Sequence, residues 1–271
     1  RATIVFCGDG GASEGDFHEA LNVATVWDLP VIIAIENNAW GLSTPSREQF
    51  RCKQFIDKAI GYGMPAEDAI QVDGNNIVEV YTAVKKAAES IRKRPRPILM
   101  EFMTFRLRGH EEASGTKYYP DGLIPEWEKK DPVDNYEAWL LERGIISEDE
   151  EGKIRAELKQ QINDALKIAY AEPDITPETN KEINDLFAPF DNTEVKPTSQ
   201  QSSEKRFIDA ISDGLRQSME RHSKLVLMGQ DIADYGGVFK VTEGFVAAFG
   251  KDRVRNTPLC ESAIVGTGLG L

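Results

Sequence analysis

Asp9 lies in the run Gly8-Asp9-Gly10-Gly11, and Asn38 of the pair Asn37-Asn38 comes 29 residues further on. A carboxylate, a carboxamide oxygen and a glycine turn at a helix start together suit a divalent cation that holds a phosphate. Mg²⁺ takes oxygen ligands, usually one or two carboxylates plus phosphate oxygens. Asp9 would supply the charge, Asn38 a neutral oxygen, and a backbone carbonyl near Trp40 a third ligand. The glycines would let backbone N–H groups approach the phosphate, with the following helix N-terminus adding positive potential. Taken singly, Asp9 reads as a turn former and Asn37-Asn38 as a polar strand exit; their joint spacing favours a site. A dinucleotide site of an NAD-binding oxidoreductase is the alternative, with Glu36 as the ribose-binding acid. It fits less well, because Ser13 occupies the third glycine position and the Asp9 charge would repel a pyrophosphate.

The elements around these residues support the pairing. Residues 2–7 (ATIVFC) read as a buried strand, and residues 13–29 as a helix with Phe17, Leu21, Ala24 and Trp27 at helical spacing. Ser13 followed by Asp16 offers a capping box, Pro30 ends the helix, and residues 31–35 form the next buried strand. One βαβ unit returns its second strand beside the first, so both polar clusters open at one sheet edge, where α/β folds place ligands. A helix over 77–92 and a strand over 98–106 continue the alternation of a doubly wound, mostly parallel α/β sheet.

Residues 107–125 are polar and glycine-containing with little periodicity, the mark of a functional or mobile loop. Helices are expected near 132–143 and 147–171, the second a packing helix with Ile154, Leu158, Ile162, Ala165, Leu166 and Ala169 along one face. Prolines 173, 177, 189 and 197 then recur among Thr, Asn, Ser and Gln, which reads as a linker. A second αβ pattern follows: helix 207–219, strand 225–228, helix 241–249 and an extended run at 253–257. The expected organisation is therefore a domain over 1–172, a linker over 173–203 and the start of a second α/β domain over 204–271. Both ends meet the pattern abruptly, so a piece of a longer polypeptide is expected.

Composition bounds the function. Of 271 residues, 28% are charged and 41% hydrophobic, ordinary values for a globular chain. A net charge of −13 argues against nucleic acid, which needs a basic surface, and against docking on anionic membranes. No apolar run is long enough to span a bilayer, and with no basic-then-apolar leader in the sequence secretion is not expected. Cys7, Cys52 and Cys260 lack metal-type spacing. Cys7 and Cys260 read as buried thiols, and a reducing cytoplasm fits them.

The run GDGGASEGDFHEALNVATVWDLPVIIAIENN resembles the thiamine diphosphate motif of the decarboxylating first component of 2-oxoacid dehydrogenase complexes. The segments YGM, VDGNN and EFMTFRLRGH, in that order, resemble the alpha subunit of the same enzyme, over roughly residues 1–172. Residues 204–271, with MGQDIADYGGVFKVTEG and GKDRVRNTPLCE, resemble the start of its beta subunit. The resemblance implies a thiamine diphosphate-binding fold and a natural alpha–beta fusion.

By position it makes Asp9 and Asn38 the Mg²⁺ ligands, with the Trp40 carbonyl as the third. Gly8, Gly10 and Gly11 would line the diphosphate, and Gly41 and Leu42 the cofactor. His110 matches a loop histidine that reaches the diphosphate near the substrate. Glu261 matches the glutamate that hydrogen-bonds the thiamine pyrimidine, and Leu259 would touch that ring through its backbone. The chemistry at Glu261 needs a buried acid with a raised pKa, able to share a proton with the ring nitrogen.

The implied activity is oxidative decarboxylation of a small 2-oxoacid, with acyl transfer to a lipoyl-bearing acyltransferase component. ASEGD, LSTP and TPLCE lean toward a branched-chain 2-oxoacid, with pyruvate or acetoin as alternatives. A homodimer or larger assembly is expected, since the site needs both domain types facing each other. A non-catalytic assembly fragment is the reading from another class. Two departures stand out. Glu111 follows His110 where eukaryotic members carry a phosphorylated serine, so no phospho-regulation is expected there. Ala113-Ser114-Gly115 replaces the family's Ser-Asp, which bears on the ordering of residues 107–122.

Overall fold

The apolar runs and amphipathic stretches of the first hundred residues build a four-stranded sheet with a helix on each face. The computed structural model describes every residue except Glu112, Ser114, Asp191, Asn192, Val195, Thr198 and Gln200. Strand β1 (Thr3–Gly8), helix α1 (Gly15–Val26) and strand β2 (Val31–Asn37) are followed by a hairpin of β3 (Trp40–Gly41) and β4 (Thr44–Pro45). Strand β5 (Ala69–Asp73), helix α2 (Ile77–Lys93) and strand β6 (Ile98–Met103) complete the layer. The sheet order is β1-β2-β6-β5, with every neighbour parallel.

Alternation along β2 fills both faces. Ile33 and Ile35 pack with Phe17, Leu21, Phe55 and Leu99 on the α1 side, while Ile32 and Ala34 pack with Ile91, Ile98 and Met100 on the α2 side. This is the doubly wound arrangement expected. Buried polar groups include a fully enclosed Glu101 and Asp68, both of whose oxygens Arg96 grips at 2.7–2.9 Å.

Several expectations need correction. β1 is exposed along most of its length, with Phe6 at 62%, because it is an edge strand with β2 as its one neighbour. Ser13 makes no capping box: its hydroxyl donates back to the Asp9 carbonyl from a short 3₁₀ turn, and α1 starts two residues later. α1 also stops at Val26, where Asp28 takes a positive φ of 50° and Leu29 N–H bonds back to the Ala24 carbonyl. β6 ends at Met103 rather than 106. β5, five residues long, was not foreseen, its pattern being too short to register. Cys260 is buried, while Cys7 is half-buried.

Two short helices, α3 (Leu123–Glu128) and α4 (Pro132–Glu142), follow the sheet. Residues 137–204 form a separate compact unit that contains α5 (Glu148–Ala171) and α6 (Thr179–Asn184). Ser147 and Glu150 make a reciprocal capping box that starts α5. The α5 stripe is not the packing surface expected: Ile154, Leu158, Ile162 and Leu166 are 45–60% exposed.

Residues 205–271 belong to the same unit as the main sheet. They form α7 (Phe207–Arg221), β7 (Leu227–Gly229), α8 (Phe245–Phe249), β8 (Val254–Asn256) and α9 (Glu261–Gly270). β7 and β8 pair in parallel over a small core of Met219, Phe245 and Val254. Among the described residues, no helix is long and apolar enough to cross a membrane.

Candidate functional site

The strand register decides which residues meet. Gly8 lies level with Glu36, and Asn37 with Met103, so Asp9, Asn38 and the chain after Met103 all leave from one sheet edge. Asp9 is 1% exposed, and its Oδ2 accepts a hydrogen bond from Ser46 Oγ at 3.2 Å. Burial raises its carboxyl pKa, against the opposing pull of the Ser46 hydroxyl, its own and the Asn38 backbone amides, and the more distant Arg106 charge. A desolvated carboxylate held by neutral donors would gain from a bound cation, so the donor set fits a metal.

Asn38 Oδ1 accepts the Trp40 N–H at 3.0 Å, and Asn37 Oδ1 accepts the Ala39 N–H at 2.9 Å. These two turns hold Ala39 at a φ of 67°, a conformation uncommon for a residue with a Cβ and frequent at functional sites. Leu42 in the hairpin tip has a φ of 58°. Antiparallel partners alternate between bonded and non-bonded pairs. Ser46 N–H bonds the Ala39 carbonyl, and Pro45, opposite Trp40, has no N–H. The Trp40 N–H and C=O therefore face away from β4, toward the side where Asn38 accepts. This supports the Trp40 carbonyl as a third oxygen.

The glycines act unequally. A Cβ on Gly10 would stand 3.1 Å from the Gly41 Cα, and one on Gly41 would collide with the Gln49 amide at 2.7 Å. A Cβ at Gly8 would meet nothing within 4 Å, and at Gly11 only the Cys7 Cβ at 3.8 Å.

Arg106, just beyond β6, organises the loop that follows. Its Nη2 donates to the Leu42 carbonyl at 2.8 Å and to the Tyr118 hydroxyl at 3.0 Å, and its Nη1 reaches His110 Nδ1 at 2.9 Å. Tyr119 Oη donates to the Arg106 carbonyl. Burial, reinforced by the Tyr118 hydrogen bond, pushes the Tyr119 phenol up to about 12. Arginine has no acceptor, so His110 Nδ1 accepts, and Nε2 carries the proton of the neutral ring. His110 and Glu111 are both exposed; Ser114 lies outside the described residues.

Glu261 departs from expectation. It opens α9 in an exposed position, and its Oε1 accepts from Gln230 Nε2 at 3.2 Å, which holds its carboxyl below the usual range. The buried acid with a raised pKa is not present in the single chain, because the Glu261 side chain lies on the exposed face of the first turn of α9. Leu259 is 81% exposed. The structure does dock this segment on α1: Glu19 Oε2 accepts the Ala263 N–H at 3.0 Å, and the Arg255 guanidinium lies 4.9 Å from the Trp27 ring centre.

The sequence reading missed Ser46, Arg106 and the buried Glu101. Arg106 stands four residues before His110, a spacing that carries no recognisable signal in an irregular loop. Ser46 and Glu101 reach the site only through the topology.

Among the described residues, no three His, Cys, Asp or Glu side chains gather as a metal cluster. A cation here would rest on Asp9, neutral oxygens and a ligand's own phosphate. Residues 1–178 match the dehydrogenase E1 component family. The chain belongs to that family. Residues 203–271 match the pyrimidine-binding domain of transketolase.

Similar curated proteins extend the E1 match. The Arabidopsis thaliana mitochondrial 2-oxoisovalerate dehydrogenase subunit alpha 1 is 40% identical over 170 residues, 62% of this chain and 35% of the relative. The Bacillus subtilis 2-oxoisovalerate dehydrogenase subunit alpha is 38% identical over 179 residues, 66% of this chain and 53% of the relative. The Bacillus subtilis pyruvate dehydrogenase E1 component subunit alpha is 38% identical over 172 residues, 63% of this chain and 46% of the relative. The chain thus spans about a third to a half of the E1 alpha relatives it matches.

Proposed function

We propose that this chain binds thiamine diphosphate through Mg²⁺ at the Asp9 edge of the sheet and serves the decarboxylation of a 2-oxoacid. The observation that carries the reading is the buried Asp9 carboxylate facing the strained Asn38–Trp40 turn at the mouth of an E1-family sheet. Asp9, Asn38 Oδ1 and the Trp40 carbonyl would hold the cation. Backbone amides of the Gly8–Gly11 turn would bind diphosphate oxygens, with Gly41 and Leu42 along the cofactor. When bound, the cofactor supplies the electron sink that lets a 2-oxoacid lose CO₂. His110, with its proton on Nε2, would donate a hydrogen bond to a diphosphate oxygen or a substrate carboxylate.

Glu261 and the Leu259 backbone would meet the pyrimidine ring. Both are exposed on the single chain, which supports a homodimer or larger assembly in which one copy covers the other's α9. The fusion of alpha-like and beta-like segments, divided near 173–203, belongs to this reading. The acyl product would pass to a lipoyl-bearing acyltransferase. A branched-chain 2-oxoacid is the favoured substrate, in keeping with relatives named for 2-oxoisovalerate.

Calorimetric titration of the chain with thiamine diphosphate, with and without Mg²⁺, tests the site. Mg²⁺-dependent binding that Asp9→Ala abolishes is the expected result; a folded chain that binds nothing would sink it. Decarboxylation with an artificial electron acceptor, comparing 2-oxoisovalerate with pyruvate, then separates an active enzyme from an assembly fragment. Gel filtration giving only monomer would count against the proposed assembly.

A further inference from the structure

The central strand β6 carries Glu101 at 0% exposure, with no cation against it among the described residues. Its Oε2 accepts the Phe55 and Ile56 N–H groups at 3.0 and 3.5 Å and Gln71 Nε2 at 3.4 Å. Its Oε1 accepts Asn37 Nδ2 at 2.7 Å, and the Asn37 Oδ1 in turn accepts the Ala39 N–H at 2.9 Å. A buried carboxylate satisfied by neutral donors is costly to place and costly to disturb. Here every donor points one way, so the carboxylate fixes the polarity of the whole chain of bonds.

We propose that Glu101 is a positioning residue for the Asn37–Trp40 turn. Glu101 is acceptor-only, so Asn37 must present its NH₂ to it. The Asn37 oxygen is thereby left for the Ala39 amide, which holds Ala39 in its left-handed conformation and aims Asn38 and Trp40 at the Asp9 edge. The consequence for cation binding rests on the function proposed above; the positioning itself does not.

Substitution can reverse the polarity of this chain of bonds. In E101Q one carboxylate oxygen becomes an NH₂ group. The Phe55 and Ile56 amides are fixed donors, so the new oxygen must stay with them and the new NH₂ must face Asn37. Asn37 must then flip, setting its own NH₂ against the Ala39 N–H. In N37D two acceptors face each other instead. The double variant N37D/E101Q reverses the polarity and satisfies every bond: Gln at 101 donates to Asp at 37, whose other oxygen accepts from Ala39.

The test is amide hydrogen exchange at Ala39 by NMR on the full chain at pH 7.5, for wild type, E101Q, N37D and the double variant. Loss of the bond is expected to speed Ala39 exchange about tenfold in E101Q; in N37D the repulsion between the two facing carboxylates is expected to push the residue 37 side chain off the Ala39 amide with a similar rise, and the double variant is expected to return it to near wild type. Unchanged exchange in E101Q, or a double variant no better protected than the singles, would overturn the proposal. If E101Q does not fold, the double variant decides: folding with wild-type protection supports the proposal, and failure to fold refutes it. Calorimetry of Mg²⁺ with thiamine diphosphate on the same variants is expected to follow the exchange rates. Wild type that takes up no cofactor would defeat the proposed function and leave the exchange series to judge Glu101.

Discussion

Gly10 and Gly41 come from different turns, yet a Cβ on Gly10 would stand 3.1 Å from the Gly41 Cα. The glycine turn after β1 and the hairpin after β2 are thus packed backbone to backbone. Gly10→Ala must push the two turns apart, since the neighbour is main chain and cannot swing away. Gly41→Ala meets only the end of the Gln49 side chain, which can move at the loss of its bond to the Thr44 carbonyl. Gly10→Ala is expected to cost about 1–3 kcal/mol and Gly41→Ala about 1 kcal/mol, read by urea denaturation. A larger loss at Gly41 would contradict the contact.

Asp9 makes a pH prediction with a definite sign. Burial raises its folded carboxyl pKa above the unfolded value. Such a group favours folding fully below the unfolded pKa, and that contribution is lost as pH rises through the folded pKa. At neutral pH the free chain carries the cost of the ionised form. Asp9→Asn is therefore expected to raise the Tm of the free chain at pH 7.5, with the difference closing toward pH 4. Mg²⁺ with thiamine diphosphate at about 100 times Kd should stabilise wild type by about 2.7 kcal/mol and leave Asp9→Asn unmoved. A thermal melt series over both pH and ligand checks both halves.

The sequence makes Asp9 and Asn38 legible as a pair because both follow apolar strands flanking one amphipathic helix, a local pattern. It does not disclose Ser46, Arg106 or Glu101, whose partners lie 37, 64 and 46 residues away in the chain. Periodicity finds the α5 stripe but cannot say what it faces, and here it faces solvent. It marks residues 2–7 as apolar, yet the strand order, which no local pattern encodes, leaves β1 at an edge. Glu261 enters the proposed site through resemblance alone; its exposure follows from how α9 packs on α1.

The Asp68–Arg96 pair joins the turn before β5 to the chain before β6. Asp68 is 1% exposed, and Arg96 also donates to Ser90 Oγ. Removing one partner strands the other, so Arg96→Met is expected to cost about 3–5 kcal/mol in chemical denaturation. Replacing both, as Arg96→Met with Asp68→Leu, removes the stranded charge and should recover most of that loss. A double variant no more stable than Arg96→Met would show that shape, and not the buried charge, sets the cost.

Arg106 is the residue whose loss should separate binding from stability. One guanidinium spans the Leu42 carbonyl, the Tyr118 hydroxyl and His110 Nδ1, while Tyr119 closes on its carbonyl. Arg106→Lys keeps the charge but cannot reach three acceptors at fixed angles. The main sheet does not depend on these bonds, so the global Tm should fall only slightly in Arg106→Lys or Arg106→Ala. The loop over 107–122 should instead open, and limited proteolysis within it should quicken about tenfold, the factor expected for one lost hydrogen bond of ordinary strength. Thiamine diphosphate affinity should weaken by a similar factor, because His110 loses the bond that keeps its proton on Nε2. Faster proteolysis with unchanged affinity would remove His110 from the diphosphate site; unchanged proteolysis would remove Arg106 from its place as the loop's anchor.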